Sequence, residues 1–317
     1  MSPATFSPRW LDQGRKVRLK PGDLVIVSAC LLAALVLLGP ARWAPQAVYS
    51  GVCFGLFGLA LLVLRTIQAT WPRLRPVKWV ADFWLLPVAM IGHELLNPLL
   101  DFLNPVLSDA QLARVEEQLF GVQVSVLVSE GAPGWLHDIL MLCYYSHFIW
   151  APMLGVVLYR QKRPGAFDEL ILGLSLFFSL NYACYALVPA IGPRFFLIDA
   201  FSGPLTGPLL TPTLDSMMRS PAFARDCFPS GHTGTTLLLF FYSLRFSRKF
   251  FLVMLLPGLG LITATLSGRF HYATDLVAAV PLVIVVAGLA MALSRSTVRR
   301  RAFAAERSVS MDAIVRP

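Results

Sequence analysis

Asp226-Cys227-Phe228-Pro229-Ser230-Gly231-His232-Thr233 is a polar turn that runs directly into an apolar helix, and one and a half apolar spans later comes Arg269-Phe270-His271-Tyr272-Ala273-Thr274-Asp275. The first stretch offers free backbone N–H groups, a positive helix end and an imidazole to one point, a combination that suits phosphate. In the second, Asp275 lies four residues after His271 and shares its face on a helix, so the carboxylate can orient the ring and stabilise its cation. Together the two stretches read as phosphoryl transfer, with His271 as nucleophile and His232 as acid and base.

Outward from these turns the chain is apolar in blocks. It has 317 residues, 56% hydrophobic and 14% charged, with a mean hydropathy of +0.65. That is too apolar for a water-soluble domain and predicts an all-α integral membrane protein. Eight candidate transmembrane helices stand out: Leu24 to Leu38, Ala47 to Leu64, Trp79 to Leu100, Leu136 to Tyr159, Phe167 to Val188, His232 to Leu244, Phe250 to Leu266 and Tyr272 to Leu293. Several are shorter than the roughly 20 residues that a bilayer core requires, the sixth most clearly. Residues 1–78 read as a basic arm plus a transmembrane hairpin, 79–293 as a catalytic core, and 294–317 as a basic cytoplasmic tail expected to be disordered.

The net charge of +9 is explained by where the basic residues fall. In alternate connections lie Arg9, Arg15, Lys16, Arg18 and Lys20, then Arg65, Arg73, Arg75 and Lys78, then Arg160, Lys162 and Arg163, then Arg245, Arg248 and Lys249, and finally the tail, which together hold 21 of the 27 Lys and Arg. The other side holds Arg42, Arg114, Arg194, Arg219, Arg225 and Arg269. By the positive-inside rule both termini are cytoplasmic and both histidine stretches are extracytoplasmic. The same distribution removes the reason to expect a nucleic-acid partner. The first span is too long for the apolar region of a signal peptide and reads as a retained anchor. Five cysteines, mostly inside spans, form no disulfide framework, although a Cys184–Cys227 bridge is conceivable.

Ser108-Asp109-Ala110-Gln111 has capping-box spacing, and Leu112, Val115 and Leu119 recur on one face before Gly121, so a short helix at the outer interface is expected. Arg114, Glu116 and Glu117 are assigned to its solvated face. The connection from Pro189 to Gly231, rich in Pro and Gly, reads as a lid that admits a lipid head group. His93, Glu94 and Asp82 are ionisable groups at membrane depth, expected to face the bundle interior and to pair among themselves or with His147, Asn181 or Tyr145; His93 and Glu94 are candidates for a head-group cavity. His93-Glu94-Leu95-Leu96-Asn97 lacks the second histidine of a zinc-protease helix. A zinc site of Cys227, His232, His271 and Asp275 lacks the usual ligand spacings, and no metal or other cofactor is expected.

Phe228-Pro229-Ser230-Gly231-His232-Thr233 resembles the second signature of the type 2 phosphatidic acid phosphatase superfamily, and His271-Tyr272-Ala273-Thr274-Asp275 is similar to the His-x-x-x-Asp of its third. Leu119-Phe120-Gly121, Pro189-Ala190-Ile191-Gly192-Pro193-Arg194 and the Asp226-Cys227 lead-in look more like the branch of inositol phosphorylceramide synthases and their bacterial relatives. The resemblance implies a six-helix phosphatidic acid phosphatase/haloperoxidase-like core, here with an extra N-terminal pair, and metal-independent attack on a lipid phosphoester. It implies catalytic roles for His271, His232 and Asp275. The chain departs from the superfamily in two places. Arg163-Pro164 lies on the cytoplasmic side with Val156 where a first-signature lysine belongs, and Ala264 and Thr265 replace the Ser-Arg of the third. Arg194 and Arg269 are therefore assigned as the phosphate-gripping cations, together with Ser230, Gly231, Thr233 and their backbone amides. Water as acceptor makes a phosphatase and an alcohol makes a transferase; residue chemistry leaves both open, along with the lipid and the oligomeric state. A transporter or non-catalytic lipid-binding protein built on the same polar cluster is the reading from a different class.

Overall fold

The computed structural model describes residues 17–39, 45–96, 100–217 and 225–315. Arg9, Arg15, Lys16, Arg42, Arg219 and Arg316, which entered the charge count, lie outside the described residues. The helices are α1 (Pro21–Leu38), α2 (Pro45–Thr70), α3 (Arg75–Asp82), α4 (Leu85–Leu96), α5 (Leu100–Leu103), α6 (Asp109–Phe120), α7 (Val124–Gly131), α8 (Gly134–Tyr145), α9 (His147–Arg160), α10 (Pro164–Leu187), α11 (Pro193–Phe196), α12 (Thr211–Met217), α13 (Gly231–Phe246), α14 (Arg248–Ser267) and α15 (Ala273–Val315). Among the described residues there is no strand, only an isolated parallel bridge between Ala190 and Asp226.

Five helices are long and apolar enough to cross a membrane: α1, α2, α10, α14 and the first 24 residues of α15. This is a multi-pass membrane protein. Two further spans expected from sequence are broken. The third bends by 46° between α3 and α4, and the fourth by 45° between α8 and α9, where His147 begins the second half. Counting each pair as one crossing gives seven. The remaining one, α13, has 16 residues and is about 24 Å long, short of the roughly 30 Å hydrocarbon core. α15 continues to Val315. Residues 295–315 contain no Gly or Pro and several Ala and Arg, so nothing in their backbone chemistry stops the helix.

The α1–α2 hairpin packs on α10, and α10 is surrounded by α9, α13 and α15. Leu154, Leu170, Leu174, Phe177, Leu238, Tyr242, Leu261 and Val286 interlock there in a continuous buried cluster. Leu252, Leu256, Ile284 and Val285 point outward, the pattern for helices whose outer face meets lipid. At the end of the bundle where α1, α3 and α10 begin, Arg65 is buried between Asp23 (2.8 Å) and Asp82 (2.8 Å), and Lys20 and Lys78 also reach Asp82. Lys20 adds Asp168, at the start of α10. Asp82 therefore belongs to this cluster and pairs with none of the partners expected for it in the sequence.

The short helix α6 forms where expected, and Gly121 ends it in the left-handed conformation (φ 73°), its N–H bonding to the Glu117 carbonyl. The buried face is not the one expected. Asp109 and Glu116 are wholly buried with Leu112 and Ala113, while Val115 and Leu119 are exposed. Residues 109, 112, 113 and 116 share one face by helical spacing, and backbone N–H groups from two other segments meet the two carboxylates there. The assignment of Glu116 to a solvated face is thus corrected.

Candidate active site

The N-termini of α13 and α15 meet at the opposite end of the bundle from the Arg65 cluster. Asp168 and Tyr185 mark the two ends of α10, about 26 Å apart along its axis. Ser230 caps α13, its Oγ accepting the Thr233 N–H at 3.2 Å and its own N–H reaching the Asp275 carbonyl at 3.1 Å. This bond carries the His232 turn onto the His271 helix. Gly231 sits tightly: a Cβ there would stand 2.6 Å from the Tyr185 hydroxyl and 2.9 Å from Asn181 Oδ1, so one of them would have to shift. Asn181 in turn holds the turn by donating to the Pro229 carbonyl at 3.0 Å.

His232 and His271 face each other with ring centroids 6.2 Å apart. His271 Nδ1 lies 2.9 Å from the Cys227 carbonyl and 3.4 Å from Asp275 Oδ2. A carbonyl only accepts, so Nδ1 carries a proton, and in the neutral ring Nε2 keeps its lone pair. The carboxylate is itself held by the Tyr272 N–H at 2.8 Å and the Cys227 thiol at 3.0 Å. Burial pushes the Cys227 thiol well above its ordinary range, and the Asp275 charge adds to it, so the sulfur stays a donor. Cys227 Sγ, His271 Nδ1 and Asp275 Oδ2 lie within 4.8 Å of one another, a spacing that three metal ligands also have. Here the thiol proton and, by the carbonyl argument, the ring proton point at oxygens.

His232 is packed by rings. It stacks on Tyr144 (4.4 Å), Tyr144 stacks on Phe270 (4.5 Å), and the Arg194 guanidinium lies over the far side of Phe270 (5.4 Å). His147, at the α8–α9 break, approaches His232 at 4.4 Å. The two assigned cations differ. Arg269 is occupied throughout, Nε donating to Ser129 Oγ (2.8 Å), Nη1 to the Gly203 carbonyl (2.7 Å) and Nη2 to Glu130 (3.3 Å). It pins the 189–231 connection. Arg194 Nη2 binds Asp215 at 2.5 Å, and its Nη1 has no partner among the described residues. Ser230 and Thr233 are buried and bond each other through their hydroxyls at 3.1 Å, so they shape the turn.

His93 finds a partner that sequence reasoning did not weigh. Its Nε2 meets Asp226 Oδ2 at 2.7 Å, beside Cys227, while Glu94 is exposed and 3.8 Å from Nδ1. The cleft lined by His93, Tyr182, Tyr185 and Asp226 is narrow. Asp109 was also missed. It accepts the N–H groups of Ile191 and Gly192 (2.9 and 2.8 Å) and the Tyr272 hydroxyl (3.0 Å). Asp138, missed as well, accepts the N–H groups of Leu209, Leu210 and Thr211 at 2.7 to 3.0 Å. The spacing of Asp109, Leu112 and Glu116 was the available signal for the α6 pair. No disulfide forms, all five cysteines being free.

A family model described as PAP2 superfamily matches residues 110–289, more than half of the chain. No curated protein and no solved structure matches it.

Proposed function

The chain belongs to the PAP2 superfamily, whose members are generally phosphoesterases or phosphotransferases, and from that premise we propose that it cleaves a lipid phosphoester through a phosphohistidine on His271, at the extracytoplasmic face. The observation that carries this reading is the His271 Nδ1 contact with the Cys227 carbonyl, which places a proton on Nδ1, so that the neutral ring offers the Nε2 lone pair beside a second imidazole. A reacting phosphorus sits about 3–3.5 Å from an attacking nitrogen. The leaving oxygen must come within about 2.6–3.2 Å of its acid. The two rings stand 6.2 Å apart between centroids.

Nε2 of His271 attacks phosphorus, the P–O bond to the leaving alkoxide breaks, and His232 supplies the proton. Asp275, fixed by Tyr272 and Cys227, stabilises the cation that develops on the ring. Arg194 Nη1 and the amides at the start of α13 take the charge of the equatorial oxygens. His232 then removes the proton of the acceptor, and the acceptor oxygen displaces His271. The basic residue distribution supports the sidedness. The Asp226-Cys227 lead-in and Leu119-Phe120-Gly121 support a place near the inositol phosphorylceramide synthase-like branch, for which an alcohol acceptor replaces water.

The test is purified protein in detergent with a panel of labelled phospholipids, with and without inositol or ceramide. We expect turnover that His271→Ala lowers by roughly a thousandfold or more while lipid binding persists, and an acid-labile phosphoenzyme in wild type. Unchanged phosphate release from His271→Ala removes the mechanism. Binding or transport with no phosphorus chemistry favours the transporter class.

A further inference from the structure

Behind the His271–Asp275 pair lies a second buried carboxyl that neither histidine stretch contains. Glu116 Oε1 accepts the N–H of Ala273 at 2.7 Å, the residue that opens α15 two positions after His271. Glu116 is completely buried, as is Asp275. Glu116 Oε2 and Asp275 Oδ1 both lack a hydrogen-bond partner among the described residues. A buried ionised oxygen without a donor is costly. Neighbouring groups offer Glu116 no counter-charge: Asp109 and Tyr272 bond each other (3.0 Å), and the Cys227 thiol serves Asp275. Burial and the Asp275 charge push the Glu116 carboxyl up, against the pull of the Ala273 and Val124 N–H groups.

We propose that Glu116 is a positioning residue for the nucleophile: by accepting the Ala273 N–H it ties α6 to the first turn of α15, holding the His271 ring against the Cys227 carbonyl. The proposal rests on the reading of His271 as nucleophile.

The experiment compares wild type with Glu116→Gln and Glu116→Ala, purified in detergent and labelled in the histidine rings, with His271 assigned by a His271→Gln variant. Ring nitrogen resonances report its tautomer and titration, and lipid phosphate hydrolysis across pH reports kcat and KM. Gln keeps an acceptor for Ala273, so we expect the Nδ1–H tautomer and the kcat of wild type. Ala should lower kcat at least about tenfold, with KM moved far less, and mix the tautomers. Should the Ala variant not fold, the Gln variant still decides. A Gln variant with mixed tautomers and a kcat as low as that expected of the Ala variant overturns the proposal. So does an Ala variant with unchanged ring and kcat. If wild type turns over no lipid phosphate, the functional reading falls, and the resonances still decide the positioning.

Discussion

The Cys227 carbonyl decides which nitrogen of His271 can act, and it does so at 2.9 Å where the carboxylate stands off at 3.4 Å. Replacing Cys227 by Ala keeps that carbonyl and removes the thiol donor to Asp275, so activity should fall by roughly tenfold and Ser should recover part of it, as measured by kcat in detergent. With its titration pushed up by burial, the Cys227 thiol should resist iodoacetamide at pH 8, the native enzyme keeping its activity while unfolded protein is alkylated. The two arginines should part company. Arg194→Gln should lower kcat/KM by about 2–4 kcal/mol in transition-state terms, the range for losing one charge-stabilising donor. Arg269→Gln should act through the 189–231 connection, with a smaller loss of kcat/KM and faster proteolysis there. That His271 meets Asp275 was legible because their spacing is local. That Arg269 is occupied was not legible, since Ser129, Gly203 and Glu130 reach it from far along the chain.

Among the elements, α6 shows why a periodic reading can find a helix and misplace its face. Hydropathy selects Leu112, Val115 and Leu119, but the helix is oriented by Asp109 and Glu116, whose oxygens satisfy buried N–H groups of Ile191, Gly192 and Ala273. Asp109→Ala leaves two N–H groups and the Tyr272 hydroxyl unmet, each costing about 1–3 kcal/mol, and thermal unfolding should report the sum. Gly192 has φ 81°, and a Cβ there would press on the Phe270 carbonyl at 2.7 Å, so Gly192→Ala should disturb the segment that carries His271. The 189–231 connection is fastened to α7 by Glu130, which accepts from Ser202. The Ser202 hydroxyl draws the Glu130 carboxyl below its ordinary value, so this support is complete above about pH 4.3 and is lost as pH falls through the lower folded value. Protease cutting near Ser202 should therefore be flat from pH 7 to 5 and rise only in stronger acid.

For the whole molecule, composition announced a membrane protein, and block hydropathy found every span. The breaks at residues 83–84 and 146 escaped it because apolar content is continuous across both. The buried Arg65 cluster escaped it as well: a basic residue near a span end reads as a solvated flank, and its partners Asp23 and Asp82 lie 42 and 17 residues away. Arg65→Met should destabilise the fold by about 3–5 kcal/mol by stranding Asp23, with Asp82 still served by Lys20 and Lys78. α15 has 43 residues and is about 65 Å long, twice the thickness of the hydrocarbon it enters. One continuous helix thus begins two residues after the proposed nucleophile and is longer than the hydrocarbon is thick, so a load applied to its distal half acts on the element that carries the proposed reacting centre.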